Sequence, residues 1–236
     1  MIFNKLITSE NTLLDIITKN LLSKNKLLVT YFNQNCFNIF HREKEYKKLL
    51  EERFLVFSDG TGIFWTYKLF NRKSEIKRFN ATDFYYKLFG ILATERNKIF
   101  MIGGNFSEEV VNSSIDKINI AGYHRGYFTN NDLKNILEEI ENSEPDIIAF
   151  GMGVPRQEFL AFEISEKIQK NIIYLCVGNF FEFFFNTQKR APVMLRNIGM
   201  EWFFRLITEP GRLWKRYLLG IPLFFVNILR YKFFNN

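Results

Sequence analysis

The 236-residue sequence predicts an α/β fold: a mainly parallel sheet flanked by helices, followed by a helical C-terminal piece. Three observations carry this. Short apolar runs alternate with helix-type patterns from about residue 26, which is the signature of strands joined by helical crossovers. Glycine and polar residues gather where the apolar runs stop, as they do at the carboxyl ends of parallel strands. From about residue 190 the apolar runs cease and only helical spacing remains.

Taken in order, 27–31 reads as a strand, 38–51 as a helix, and 54–57 as a second strand ending in Ser58-Asp59-Gly60-Thr61-Gly62. A helix over 63–70 and a polar loop over 71–77 follow. A helix from 82 to about 94 would be capped by Thr82 or Asp83, since short polar side chains satisfy the free amides of a first turn. The run 98–102 is a strand closed by Gly103-Gly104, then a helix over 107–117 and a strand over 118–123. Asn130 or Asn131 caps a helix to about 142. Strand 146–150 leads through Gly151-Met152-Gly153-Val154-Pro155 to a helix over 156–169, and 172–177 is the last strand. The expected division is a core of 1–195 and a basic, aromatic appendage of 196–236.

Composition excludes several classes. Hydrophobic residues are 47% and charged residues 24%, a balance that buries a core. Cys36 and Cys176 are too few for a disulfide framework, and His41 and His124 too few for a histidine-rich metal cluster. The N-terminus has no long apolar core, and no uninterrupted apolar run is long enough to span a membrane. A cytoplasmic protein is expected. The net charge of +7 is local: residues 205–236 hold Arg205, Arg212, Lys215, Arg216, Arg230 and Lys232 against Glu209 alone. Trp214, Tyr217, Phe224, Phe225, Tyr231, Phe233 and Phe234 share that segment, so the tail points to an anionic surface.

Candidate chemistry sits in the strand-end loops. Asp59, beside glycines, can approach a hydroxyl closely and take its proton; on pattern alone, capping the next helix is the commoner role. Gly151–Gly153 ahead of Pro155 suits a phosphate at a helix N-terminus or a plain tight turn. No GxGxxG follows the first strand and no GxxxxGK[ST] occurs, which argues against dinucleotide and P-loop chemistry. In the tail, Arg205, Arg212, Lys215 and Arg216 stand at offsets 0, 7, 10 and 11, one angular sector of a continuous helix, unless Pro210-Gly211 breaks it. Guanidinium groups clustered this way suit a diphosphate. The following run 218–229 suits a membrane interface; its bland alternative is a helix that finishes the core or a homo-oligomer interface.

Assembled, these loops resemble the WecG/TagA/CpsF family, glycosyltransferase family 26, over roughly residues 25–220. The resemblance rests on SDGTG (58–62), RFNATD (78–83), FMIGG (100–104), GYHRGYF (122–128), PDIIAFGMGVPRQE (145–158), CVGNFFEF (176–183), RAP (190–192) and MEWFFRLITEPGRLWKRYLLG (200–220). It implies a Rossmann-like core and inverting, metal-independent transfer of a sugar from a UDP-sugar to a polyprenyl-diphosphate-linked sugar. That reaction serves teichoic acid or other cell-surface polysaccharide synthesis, at the inner face of the plasma membrane. The resemblance makes Asp59 the general base, against the cap reading, and assigns substrate contacts to Thr30, Asn33, Asp83, Gly104, Gly151, Gln157 and Arg190. Arg205, Arg212 and Lys215 would hold the diphosphate. No cofactor is implied, and no DxD stands in the strand-end loops. Ala81, Asn179, Glu182 and Asn186 depart from the family's usual residues. Two rival classes are a non-catalytic protein that holds nucleic acid with its basic tail and a methyltransferase on a similar sheet.

Overall fold

The computed structural model describes residues 2–70, 76–114 and 117–234. Six strands form one parallel sheet: β1 Leu27–Phe32, β2 Leu55–Ser58, β3 Ile99–Gly103, β4 Ile120–His124, β5 Ile147–Gly151 and β6 Ile173–Cys176. Their order is β2-β1-β6-β5-β3-β4, and every pairing is parallel. The expected strands are all present, each within about two residues. Alternation explains how they are buried on both sides. Val29, Met101, Ala149 and Leu175 point into one apolar cluster, while Leu28, Phe100, Ile148 and Tyr174 point into the other.

The first cluster is covered by helices Glu10–Leu22, Gln34–Arg42, Ala81–Thr94 and Gly220–Phe234, the second by Leu133–Ser143 and Arg156–Lys167. Several helix limits differ from expectation. The single helix expected at 38–51 is two, Gln34–Arg42 and Lys44–Arg53, because Glu43 is extended (φ −114°, ψ 106°). It starts early because Asn33 caps it: Oδ1 accepts from the amides of Asn35 (3.0 Å) and Cys36 (3.2 Å). Asn80, not Thr82 or Asp83, caps Ala81–Thr94, its Oδ1 accepting from the Asp83 amide at 3.1 Å. The polar loop expected at 71–77 falls largely outside the described residues, and the helix expected at 107–117 is shorter, Glu108–Asn112, with Ser113 as its C-cap.

The run Phe180–Phe185 also finds its place. Phe180, Phe181 and Phe183 lie buried on the short helix Phe180–Phe184, with Phe180 packed on Tyr85, Tyr86 and Phe89. Asn186 stands at φ 57°, in the left-handed region where glycine costs least.

The C-terminal segment runs through helices Val193–Asn197, Glu201–Thr208 and Pro210–Trp214, a π-helical turn Lys215–Leu219, and Gly220–Phe234. Pro222 does not interrupt the last helix; it follows directly on the π-helical turn, where the regular i→i−4 ladder is already broken. That helix is sewn into the body. Phe224 and Tyr231 pack on Phe37, Tyr231 on Phe3, and Asn38 bridges the carbonyl of Gly220 and the side chain of Asn227. No described helix is long and apolar enough to cross a membrane.

Candidate active site

Asp59 follows β2 directly. Its amide donates to the Phe32 carbonyl at the end of β1, and the Gly60 amide donates to the Phe79 carbonyl, both at 3.0 Å. Gly60 has φ 81°, a conformation that lets the chain turn sharply here. The carboxylate is therefore fixed from both sides. Oδ1 accepts from the Ala81 amide at 3.0 Å, and Oδ2 has only a long contact with Asn33 Nδ2 at 3.4 Å. Burial pushes the Asp59 carboxyl above the usual aspartate range, the two hydrogen bonds oppose the shift, and nearby Glu201 adds to it. Asp59 satisfies the first amide of Ala81–Thr94 rather than capping Gly60–Phe70, and Oδ2 is left able to accept a proton.

Asp59 stands in the wall of a cavity of about 610 Å³ that lies between the strand ends, helix Gly60–Phe70 and the C-terminal segment. Four guanidinium-bearing side chains border it: Arg78, Arg196, Arg205 and Arg216. Arg205 is 15% exposed; its Nε and Nη2 have no hydrogen-bond partner, Glu209 Oε1 lies 4.0 Å from Nε, and burial lowers its affinity for a proton. Arg216 Nε is likewise buried and unpartnered. Desolvated guanidinium donors without partners are costly unless an anion meets them. The expected trio changes accordingly: Arg205 faces the cavity, but Arg212 pairs with Glu209 (Nε to Oε2, 2.7 Å) and Lys215 lies over the Trp214 ring. Neither lines the cavity. The reason is Glu209, whose backbone (φ −134°, ψ 53°) breaks the helix before Pro210 and rotates the following residues off the shared face.

The chain matches the model of the WecG/TagA/CpsF glycosyl transferase family over residues 3–236. It belongs to that family. A relative from Bacillus subtilis (strain 168), N-acetylglucosaminyldiphosphoundecaprenol N-acetyl-beta-D-mannosaminyltransferase, is 28% identical over 196 residues, 80% of this chain and 73% of the relative. The protein is a glycosyltransferase, and the rival methyltransferase and nucleic-acid-binding classes lose their support.

Of the other residues that the sequence suggested for the substrate, Asn33 lines the cavity beside Asp59 and the rest sit elsewhere. Asp83 accepts ion pairs from Arg190 and Arg196, each at 2.8 Å, so the core and the start of the appendage are clasped at the cavity rim. Asn80 extends the clasp, donating to Glu201 Oε2 at 2.9 Å. Arg78 donates to the carbonyls of Arg196 and Asn197. Thr30 and Gln157 are fully buried and do not line the cavity. Thr30 Oγ1 and Gln157 Nε2 both donate to Glu158 Oε1, at 2.7 and 2.8 Å. Gln157 Oε1 accepts from the amides of Gly153 (3.2 Å) and Gly178 (3.1 Å), which ties together the loops after β5 and β6.

Gly104 and Gly151 mark a second feature. β3 runs on to β4 at the sheet edge and β5 to β6 towards the centre, so the adjacent ends of β3 and β5 form a topological switch point. Close packing demands glycine there: a Cβ at Gly104 would lie 2.3 Å from the Phe106 ring, and one at Gly151 2.4 Å from the Phe181 ring. Sequence reasoning left Arg78, Arg196, Arg216 and Glu201 unassigned. Arg78 and Glu201 were already inside the motif strings, and Arg216 inside the basic cluster. Among the described residues no group of three or more His, Cys, Asp or Glu is placed to hold a metal ion.

Proposed function

We propose that this glycosyltransferase moves an N-acetylmannosamine-type or hexose residue from a UDP-sugar to a polyprenyl-diphosphate-linked sugar, with inversion and without a metal ion. The observation that carries the reading is that the buried Asp59 carboxylate and the side chains of Arg205 and Arg216 border one cavity. The relative's name supplies the acceptor class, an N-acetylglucosaminyl diphosphoundecaprenol.

In this reading Asp59 Oδ2 takes the proton of the acceptor hydroxyl as its oxygen attacks the anomeric carbon of the donor. The bond from that carbon to the β-phosphate oxygen breaks on the opposite face, and UDP departs with the electron pair. The donor nucleotide would sit beyond the carboxyl ends of the strands, where ligands of parallel sheets bind. The arginines hold the acceptor's diphosphate. Charge developing on the leaving group is met by backbone amides at the strand ends, fixed before the reaction, which need no reorganisation.

Membrane contact belongs to the same proposal. Met194, Ile198, Ile207, Leu218 and Phe233 are exposed along the C-terminal segment, as expected of a surface resting on lipid at the cytoplasmic leaflet. The reaction would be a step in cell-surface polysaccharide or teichoic acid synthesis. Incubating the purified chain with a panel of UDP-sugars, a lipid-linked N-acetylglucosaminyl diphosphate and excess EDTA tests it. Sugar transfer that survives EDTA supports the proposal, and no transfer from any UDP-sugar overturns it.

A further inference from the structure

Two carboxylates stand in the cavity wall, and the start of one helix holds both. The Ala81 amide donates to Asp59 Oδ1 at 3.0 Å, and the side chain of Asn80, the N-cap residue before it, donates to Glu201 Oε2 at 2.9 Å. Asp59 of the core and Glu201 of the C-terminal segment are thus anchored on consecutive residues beside one cavity. The contact with Asn80 uses Oε2 alone, and among the described residues Glu201 Oε1 has no hydrogen-bond partner.

The neighbouring charges make this arrangement informative. Arg78, Arg196, Arg205 and Arg216 border the same cavity, yet among the described residues none forms an ion pair with Glu201. Arg78 donates to the carbonyls of Arg196 and Asn197, Arg196 pairs with Asp83, and Arg205 lies 4.0 Å from Glu209. An acid in the first turn of Glu201–Thr208 suits the helix dipole wherever its side chain points. An unpaired carboxylate in this cavity, however, opposes the binding of a diphosphate. Its favourable effect falls on the other carboxylate: a like charge close by disfavours the ionised form of Asp59 and so favours its taking a proton. Burial, then Glu201, act in that direction on Asp59, while its contacts with Ala81 and Asn33 and the charge of Arg216 oppose them.

We infer that Glu201 is a positioning residue of the transfer reaction that acts through Asp59, its unpaired negative charge keeping Asp59 receptive to the hydroxyl proton against the pull of the arginines. This role rests on the proposed general base and adds a second carboxylate to it. As the proton moves from the acceptor oxygen to Asp59 Oδ2, the pair passes from two negative charges to one, so their repulsion is relieved in the step itself.

The test compares the wild type with Glu201→Gln and Glu201→Asp. Glutamine keeps an oxygen for Asn80 and loses the charge; aspartate keeps the charge. Removing a like charge lets Asp59 give up its proton at lower pH, so the acid limb of the kcat–pH profile in Glu201→Gln should move down by about half a pH unit or more, with a lower plateau. Inhibition by inorganic pyrophosphate should tighten by about twofold or more in the same variant, since a charge opposing the anion is gone. Glu201→Asp should keep the limb near its wild-type position. Carbon-13 NMR titration of the Asp59 carboxyl, assigned with Asp59→Asn, reads the same coupling without turnover, so absence of transfer by the wild type counts against the proposed reaction alone. An acid limb and an Asp59 titration that both stay in place in Glu201→Gln overturn the inference. A raised acceptor KM with the limb in place would make Glu201 a substrate contact, and a lowered Tm with the limb in place would make it a structural brace; either result overturns it too.

Discussion

Glu158→Gln is the substitution whose effect is best determined by the structure. The Glu158 carboxyl is fully buried, and Oε1 accepts from Thr30 and Gln157 while Oε2 has no partner. Burial raises its pKa from 4.5 to about 7, with the two hydrogen bonds opposing. A carboxyl whose pKa is raised on folding holds its proton longer in the native state than in the unfolded one. Stability is therefore lost as pH rises from about 4.5 to about 7, and the loss is complete above that. At about 1.4 kcal/mol per pH unit the full span is about 3 kcal/mol, of which roughly 2 kcal/mol falls between pH 5.5 and pH 8. Glutamine keeps the acceptor oxygen, mimics the protonated acid and has no charge to bury. Thermal unfolding of both proteins at the two pH values measures the difference. The variant should lose about 4–8 °C less than the wild type between pH 5.5 and pH 8, taking about 2–4 °C per kcal/mol for a chain of this size. Asp59 pushes stability in the same direction but is present in both proteins, so it cancels. Equal pH dependence in the two would mean that Glu158 is not buried as a neutral acid.

Four further outcomes are expected. Asp59→Asn should lower kcat by about 10²–10⁴-fold with UDP binding retained, and the acid limb of the wild-type pH–rate profile should lie above the ordinary aspartate range; undiminished turnover in an initial-rate assay refutes the base. Arg205→Ala and Arg216→Ala should each cost at least about tenfold in kcat/KM for the lipid-linked acceptor. Arg212→Ala, which removes only an exposed pair with Glu209, should cost less than about fivefold, and a reversed order would contradict the cavity geometry. Asp83→Asn frees Arg190 and Arg196 from their shared carboxylate and should lower the Tm by about 2–4 °C, a loss of about 1 kcal/mol because Asp83 is itself 46% exposed. Gly151→Ala drives a methyl into the Phe181 ring and should destabilise by about 1–3 kcal/mol in denaturant titration.

The sheet was legible because its strands are short apolar runs with glycine at their ends, and burial on both faces leaves few other readings for LLVTYF or IIAFG. The helix limits were less legible, since Asn33 and Asn80 act as caps ahead of the residues that periodicity favours. Asp59 was identifiable as a candidate from its place beside Gly60, but its contact with Ala81 joins segments 22 residues apart, which no local pattern contains. The basic face of the tail failed at one point. Spacing of 0, 7, 10 and 11 places cations together only on an unbroken helix, and the bend at Glu209 sends Arg212 outward while the π-helical turn carries Arg216 back to the cavity.

That turn brings Arg216 of the C-terminal segment to the same cavity as Asp59, while Arg78 reaches it from the segment before Ala81–Thr94. The strand ends near Asp59 supply amides and one carboxylate, and the Asp59 carboxyl is already strained by burial and by Glu201. Cations packed on the same strands would lower the affinity of Asp59 for the proton it has to accept. Arg196, Arg205 and Arg216, on a separate segment clasped through Asp83 and Asn80, border the cavity while the immediate contacts of the carboxylate are Ala81 and Asn33. Of these cations Arg216 still draws the Asp59 pKa down slightly against the effect of burial. The geometry reconciles two demands that conflict at close range: a carboxylate basic enough to take a hydroxyl proton, and enough positive charge to hold a diphosphate beside it. Moving a guanidinium to the Asn33 position, as in Asn33→Arg, should bind the anion more tightly and still slow the transfer step, a split between KM and kcat that a purely steric change would not produce.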